Sequence, residues 1–403
     1  MKILVLNSGS SSQKSCVYEI GEALPASPPA PLWEGKIEWA SEQAKLYVRD
    51  AAGHEQREEV ERADRADATR RLLDALTSSP TRILKSKSEI AAVGHRIVNG
   101  GAAYAEPVRI DAAVKSAIEA MAVFAPLHNR VELEGIRLIE EAFREVPQIA
   151  VFDTGFHRGM PEAAAIYPGP YEWLERGIRR YGFHGINHQY CAERAAQLVG
   201  MKPSGLRLVS CHLGNGCSLA AIRDGRSMDT TMGFTPLEGL MMGTRSGSVD
   251  PGILTFLMRE MRLSGQQLDD LLNKKSGLLG ISGISSDMRD IVTAMKQGNT
   301  RAKLAFDVFV HRLRSGIAAM AAALGGLEAL VFTAGIGENA TEVRRATCAG
   351  LAFLGVHLDE TRNAGSRGDD EISASESRVR VLVLKAQEDW AITAACWKLL
   401  RNS

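Results

Sequence analysis

Short apolar runs recur along the chain, and two of them frame turns of the same composition. Residues 3–6 lead into Asn7-Ser8-Gly9-Ser10-Ser11-Ser12 and out through residues 15–20, while residues 206–213 lead into Gly214-Asn215-Gly216 and out through residues 217–222. Each reads as a strand, a tight turn and a returning strand. Glycine permits close backbone approach, and consecutive N–H groups with nearby hydroxyls form a concave cradle suited to phosphate oxygens. Taken singly, either turn is an ordinary β-hairpin. Their recurrence far apart in the chain suggests two related lobes that grip one polyphosphate.

Further strand-like runs at residues 91–98, 148–152 and 330–334 alternate with helical patterns, which predicts an α/β organisation. Residues 301–324 carry apolar positions at helical spacing and end at Gly325-Gly326. Residues 21–80 are looser: Pro25, Pro28, Pro29 and Pro31 mark a loop, and the charge-rich residues 55–71 read as a solvated helical face, so the segment is expected to be peripheral. A hinge is expected near Asp153, giving a first lobe over 1–152 and a second over 153–388, with a terminal helix 389–403 returning to the first.

The chain's 403 residues fit two lobes, and 45% hydrophobic content supports sizeable cores. Forty-eight basic residues balance 48 acidic ones, so a nucleic-acid or membrane-surface role gains no support from charge. The first apolar run stops at Asn7, which does not make a signal peptide, and Gly325-Gly326-Leu327-Glu328 interrupts the most apolar stretch, so no transmembrane span is expected. The six cysteines have no C-x-x-C spacing, and reduced, buried, cytoplasmic thiols are the plain reading.

Several positions can carry chemistry. Arg96 lies on a strand that runs into Asn99-Gly100-Gly101, and an arginine there is either a fork for carboxylate or phosphate or a structural cation. Arg245 sits in the glycine-flanked loop Met242-Gly243-Thr244-Arg245-Ser246-Gly247-Ser248 with no obvious partner. Asp153 follows a strand, where α/β proteins place working side chains, although a solvated helix cap is the alternative. His184 is held between Gly182 and Gly185, with His188 one turn on; Gly185 stands where a zinc protease needs glutamate. His128 reads equally as a buried core residue. A P-loop is excluded because Gln13 replaces the second glycine and a strand, not a helix, follows Lys14-Ser15.

Together these segments closely resemble the acetate kinase family, within the acetate and sugar kinase, Hsp70 and actin superfamily. The resembling runs are 7–12 with Lys14, 94–98, 125–129, 151–154, 179–185, 211–216, 229–247, 272–290 and 332–339. The resemblance implies an α/β, two-lobed, duplicated ribonuclease H-like (actin-like ATPase) fold with the active site in the interdomain cleft. It implies that Asn7 and Glu388 hold or orient magnesium, or manganese, and that Lys14, His212, Leu213, Gly214, Asn215 and Gly216 meet the ATP phosphates. Asp287, Met288 and Arg289 with Gly335, Ile336, Gly337, Glu338 and Asn339 would frame the adenosine. Arg96 would bind the substrate carboxylate, Val98, Leu127, Phe183 and Pro236 would wall its methyl pocket, and Asp153, His184 and Arg245 would be catalytic.

The activity so implied is phosphoryl transfer between ATP and acetate, giving acetyl phosphate and ADP. Propionate kinase, or a catalytically silent nucleotide-binding paralogue, is the alternative, and an actin-like or Hsp70-like binding protein lacks a substrate-binding or filament segment. The family also implies a homodimer. Departures from its pattern are Asn99 for a usual histidine, Arg130 for proline, Ile186-Asn187 for Thr-Ser, Ser248 for aspartate, and Gln387-Glu388-Asp389 for Asn-Glu-Glu. Ser248 removes a charge beside Arg245 and is the change expected to affect that loop.

Overall fold

Ile3, Leu4, Val5 and Leu6 are all buried, the signature of a strand covered on both faces. They belong to β1 (Lys2–Ser8), which pairs antiparallel with β2 (Ser12–Glu19) and parallel with β6 (Ile90–Ile97). The computed structural model describes every residue except 10, 11, 41, 42, 62, 63, 79, 102, 123–125 and 403, and leaves undescribed the side chains of 40, 61 and 126–128. The chain divides into two units, Met1–Gly155 with Gln387–Ser403, and Phe156–Ala386.

The first unit holds an eight-stranded sheet of order β5-β4-β3-β2-β1-β6-β8-β7, in which β3 is Trp33–Ala40, β4 Gln43–Asp50, β5 Glu55–Glu61, β7 Val108–Arg109 and β8 Gln148–Phe152. The second holds a six-stranded sheet of order β11-β10-β9-β12-β14-β13: β9 is Arg207–Leu213, β10 Cys217–Arg223, β11 Arg226–Thr230, β12 Ala329–Thr333, β13 Asp370–Glu371 and β14 Arg380–Leu384. The run β3-β2-β1-β6-β8-β7 repeats as β11-β10-β9-β12-β14-β13. The pairings match throughout: antiparallel within the opening hairpin, parallel for β1 with β6 and β6 with β8, and antiparallel at the short edge strand. Both hairpins foreseen from the turns are present, with Ser8 opposite Gln13 and Leu213 opposite Cys217.

Two expectations need correction. Residues 55–71 are not one helix: Glu55–Glu61 is the edge strand β5, paired to β4, and the helix is Arg65–Asp74, capped by Asp64. An edge strand has only one neighbour, so charged side chains along it stay in water and blunt further pairing. Residues 21–80 are also not peripheral. Trp33, Ile37, Leu46, Val48 and Val60 join Leu72 and Leu73 in the core that covers one face of the first sheet.

The helix Thr300–Leu324 buries Ala302, Phe306, Phe309, Leu313, Ile317, Met320 and Leu324, spaced three to four residues apart as one helical face requires. Among the described residues no helix is long and apolar enough to cross a membrane. The terminal helix runs Glu388–Arg401 and packs on the first unit's sheet, where a Cβ at Gly94 of β6 would come within 2.7 Å of both Cys396 Sγ and Ile392 Cγ2. The unit bounds place Asp153 and Glu388 in the first unit, a few residues from the boundaries read off the chain, because β8 and the terminal helix carry them there.

Gly94→Val is expected to destabilise the first unit by about 1–3 kcal/mol through overpacking against the terminal helix. Urea unfolding measures this, and an unchanged midpoint would mean that the helix seat yields freely.

Candidate active site

In the first unit, candidate side chains gather where the central strands end. Asn7 is directly opposite Lys14 in the hairpin, and its Nδ2 lies 3.1 Å from Glu388 Oε2 and 3.0 Å from Asp389 Oδ1 at the start of the terminal helix. Asp389 Oδ2 also accepts from the Cys16 thiol at 3.6 Å. Burial raises the Asp389 pKa above the usual carboxylate value, against the lowering effect of Asn7.

Arg96, near the end of β6, pairs its Nη2 with Asp153 Oδ2 at 2.7 Å, and Asp153 is fully buried just after the parallel neighbour β8. Burial works against the guanidinium charge, but Asp153, Glu388 and Glu132 outweigh it and hold the Arg96 pKa above its ordinary value. The Arg96 Nε–H meets no acceptor among the described residues, so the guanidinium has donors unspent. Two residues on, the Val98 N–H donates to both carboxylate oxygens of Glu132, at 3.2 and 3.1 Å. The next residues are fixed as well: Asn129 Nδ2 donates to Asn99 O at 3.1 Å, and Asn99 Oδ1 accepts from Gly101 N at 2.8 Å. Val98 is buried. The Leu127 and His128 side chains, and Ser10 and Ser11 of the first turn, lie outside the described residues.

In the second unit His184 caps the helix Gly185–Leu198 with φ 58°, a left-handed conformation that is costly for a residue with a Cβ. Its imidazole stacks on His212 of β9, with ring centroids 3.9 Å apart and an interplanar angle of 13°. Ser218 Oγ sits between two histidines, 2.9 Å from His184 Nδ1 and 2.8 Å from His188 Nε2, and His188 Nδ1 reaches Ser210 Oγ at 2.9 Å. Behind them His157 Nε2–H donates to the Phe183 carbonyl at 3.1 Å, leaving Nδ1 to accept from the Ser227 hydroxyl at 2.7 Å. Burial pushes the His157 pKa down to about 4 and holds His188 well below its ordinary value, so both rings are neutral near pH 7. Asn187 Nδ2 lies 2.9 Å from His212 Nδ1.

Arg245, for which the sequence offers no obvious partner, donates from Nη1 to the Pro236 carbonyl at 3.0 Å. Burial lowers its pKa, and with arginine's very high starting value the guanidinium stays charged. A Cβ at Gly216 would come within 3.4 Å of both Arg245 Nη1 and His184 Cε1, so the turn after β9 lies directly against these two groups. Backbone bonds hold the loop, Met242 N to Arg245 O and Gly243 N to Asn215 O. Ser248 closes it: its N–H donates to Gly239 O at 2.9 Å and its hydroxyl accepts from Gly239 N at 3.0 Å.

A cavity of about 790 Å³ opens beside this turn, lined by Gly214, Asn215, Asp287, Met288, Arg289, Gly335, Ile336 and Asn339, together with Ser286, Val292, Ala340 and Glu342. Asp287 caps the helix Met288–Lys296 and pairs with Arg289. The helix Ala334–Asn339 begins at the left-handed Ala334, φ 64°, immediately after β12. Gly337 and Glu338 are not among the lining residues, and their carbonyls accept from the buried Arg344 at 2.9 and 2.8 Å. Phe183 is buried and Pro236 half-buried in this unit.

Sequence reasoning missed Glu132, Asn187, Ser218 and Arg344. Glu132, Asn187 and Ser218 act through partners distant in the chain, Arg344 through backbone carbonyls, and nothing in the spacing of a lone Glu, Asn, Ser or Arg points to either.

Two copies of one strand order, each opened by a hairpin, with a nucleotide-sized cavity at the second hairpin, define a two-domain protein of the actin-like ATPase class. Within that class the chain belongs to the acetokinase family, whose model matches residues 2–394. It is 56% identical over 405 residues to an acetate kinase of Nostoc punctiforme, with 100% of both chains covered. Among solved structures it resembles an acetate kinase of Porphyromonas gingivalis, at 40% identity and a TM-score of 0.91 over 99% of each chain. It also resembles a propionate kinase of Francisella tularensis, at 38% identity and a TM-score of 0.90 over 98% of each.

Because His157 is neutral when folded but titrates near 6.5 when unfolded, the unfolded chain binds more protons between pH 6.5 and 4, and stability falls as the pH drops through that window. The slope is about 1.4 kcal/mol per pH unit from this histidine. His157→Gln is expected to flatten the pH dependence of the unfolding free energy, measured in urea, by that amount; an identical slope in the variant would show that the ring charges freely in the folded protein.

Proposed function

We propose that this protein is an acetate kinase, transferring the γ-phosphoryl group of ATP directly to acetate and running the reaction in reverse from acetyl phosphate and ADP. The observation that carries the reading is Arg96, a nearly buried guanidinium held by Asp153 on one side and with donors left unspent. A permanent cation in that setting suits a small carboxylate. Val98 follows it at the end of the same strand, and the family resemblance gives Val98, Leu127, Phe183 and Pro236 the role of apolar wall for a methyl group.

A carboxylic acid is ionised near neutral pH, so its attacking oxygen needs no general base. The chemical problem is to align two anions that repel. Arg96 fixes the carboxylate, and Asp153 orients Arg96 rather than moving a proton. Lys14 and the 212–216 turn hold the phosphates, with adenosine in the cavity between residues 286–289 and 335–340. His184, on its stack with His212, and Arg245 stabilise charge on the equatorial oxygens during in-line transfer.

Asn7 and Glu388 fit a magnesium ion in donor type. The Glu388 and Asp389 carboxylates supply oxygens of the hard kind magnesium takes, and Asn7, whose Nδ2 donates to both, orients them. Magnesium sites of this kind take the rest of their coordination from water and substrate phosphates. Magnesium, or manganese, supplies charge neutralisation on the phosphate oxygens when bound.

Propionate kinase is the second reading, favoured by the likeness to the Francisella tularensis enzyme. One methylene in an apolar pocket is worth only about 1–3 kcal/mol, so overlap between the two acids is expected. The protein is further proposed to be cytoplasmic and a homodimer. The helix Pro251–Glu260 buries none of its residues and exposes Ile253, Phe256 and Met258, with Met261 exposed just beyond, an apolar surface suited to a second copy.

Acyl phosphate trapped as the hydroxamate tests the reading, with acetate, propionate and butyrate compared at equal subsaturating concentration in ATP and magnesium. Product with acetate preferred supports it, propionate preference selects the second reading, and no product from folded, nucleotide-binding protein defeats both. Arg245→Ala is expected to lower kcat by roughly two to four decades, the scale of losing a transition-state charge partner. A near-normal kcat in the folded variant would remove Arg245 from that role.

A further inference from the structure

Glu132 is a buried, ionisable group that the proposed reaction does not use. It lies in the helix Pro126–Ala142 and is only 2% exposed, yet its carboxyl binds the backbone N–H of Val98 through both oxygens and shares its surroundings with Arg96 and Asp153. The charged groups about it come from three elements. Arg96 faces it from β6 and Asp153 from the end of β8, while Glu388 at the start of the terminal helix acts on Arg96. On its own helix, one turn to either side brings Asn129, Gly135 and Ile136, which carry no charge, and His128, whose side chain lies outside the described residues.

One guanidinium therefore stands among three acidic groups before any substrate arrives. If all three carboxyls were ionised, the local charge would already be negative, and an incoming carboxylate would enter against it. A neutral Glu132 removes that obstacle and still accepts the Val98 N–H through its carbonyl oxygen. Burial, opposed by Arg96 and the Val98 N–H, raises the Glu132 pKa to about 8, so the neutral form is the one present at neutral pH.

We propose that Glu132 is a positioning residue for carboxylate binding that acts only in its protonated form: neutral, it fixes Val98 and leaves the Arg96 charge to the substrate; ionised, it competes with the substrate for Arg96. The proposal rests on Arg96 being the carboxylate site. Deprotonation of Glu132 then makes the affinity for the acid fall as the pH rises, while the affinity for ATP, held by Lys14 and the second unit's residues and not by Arg96, stays level.

The test is the KM for acetate and for ATP from pH 6.5 to 9.5, in the wild-type protein and in Glu132→Gln, which keeps an acceptor for Val98 but cannot ionise. In the wild type the acetate KM is expected to rise about tenfold between pH 7.5 and 9, as for a single required proton. In Glu132→Gln it stays flat, and the ATP KM is flat in both. A wild-type acetate KM that does not change, or a rise that persists in the variant, overturns the proposal while leaving the kinase reading intact. No acyl phosphate from either protein at any pH is instead the failure of the kinase reading. Should Glu132→Gln not fold, calorimetric titration of the wild type with acetate at pH 8, in two buffers of different ionisation enthalpy, decides the matter. Uptake of about half a proton per acetate supports it, and no uptake overturns it.

Discussion

A guanidinium taken out of water must be compensated, and in the first unit that requirement is met around Arg96. Breaking a buried ion pair by removing one partner costs about 3–5 kcal/mol, because the other charge is left stranded. Asp153 supplies the compensation from the neighbouring strand and Glu388 from the terminal helix, while Glu132, from the helix on one side, holds the loop after β6 through Val98. The position of that one cation thus ties together two strands, two helices and the loop after β6. It also keeps the cation available, since Asp153 occupies only part of its donor set.

The same strand order serves opposite ends in the two units. In the first, the parallel strands β6 and β8 deliver charged side chains at their ends, Arg96 and Asp153. In the second, the equivalent β12 ends in a left-handed alanine and a short helix that offers backbone, and the polar chemistry moves back to β9 and β10. The histidine stack is linked through Ser218 to His188 and backed by the neutral His157, so each ring has its position set by a neighbour. Rigid placement of donors is what stabilising a transferring phosphoryl group demands, since reorganising them during the reaction would waste their charge.

Much of this was legible in the chain. The two hairpins, the central buried strands and the helix stopped at Gly325 all carry local signals: apolar runs, turn residues and helical periodicity. Arg96, Asp153, His184 and Arg245 stood out because each is flanked by glycine or ends a strand. β5 did not, since Glu55–Glu61 is charged along nearly its whole length, and an exposed edge strand looks like any solvated face. Trp33 was hidden by the prolines before it. Glu132 was invisible for a different reason: its partner is a backbone N–H 34 residues away, and no side-chain pattern encodes that meeting. Ser218 and Asn187 are silent likewise, because their meaning lies in which ring nitrogen they face.

The return of Glu388–Arg401 to the first sheet also orders events in time. The second unit is one unbroken stretch of chain, Phe156–Ala386, whereas the first is completed by a segment that follows it. During synthesis the second unit can therefore close its core while Gly94 still waits for Ile392 and Cys396, and Asn7 for Glu388. The part of the chain made first matures last, and a ribosome that stops before residue 387 releases a finished second unit beside a first unit whose sheet still lacks its covering helix.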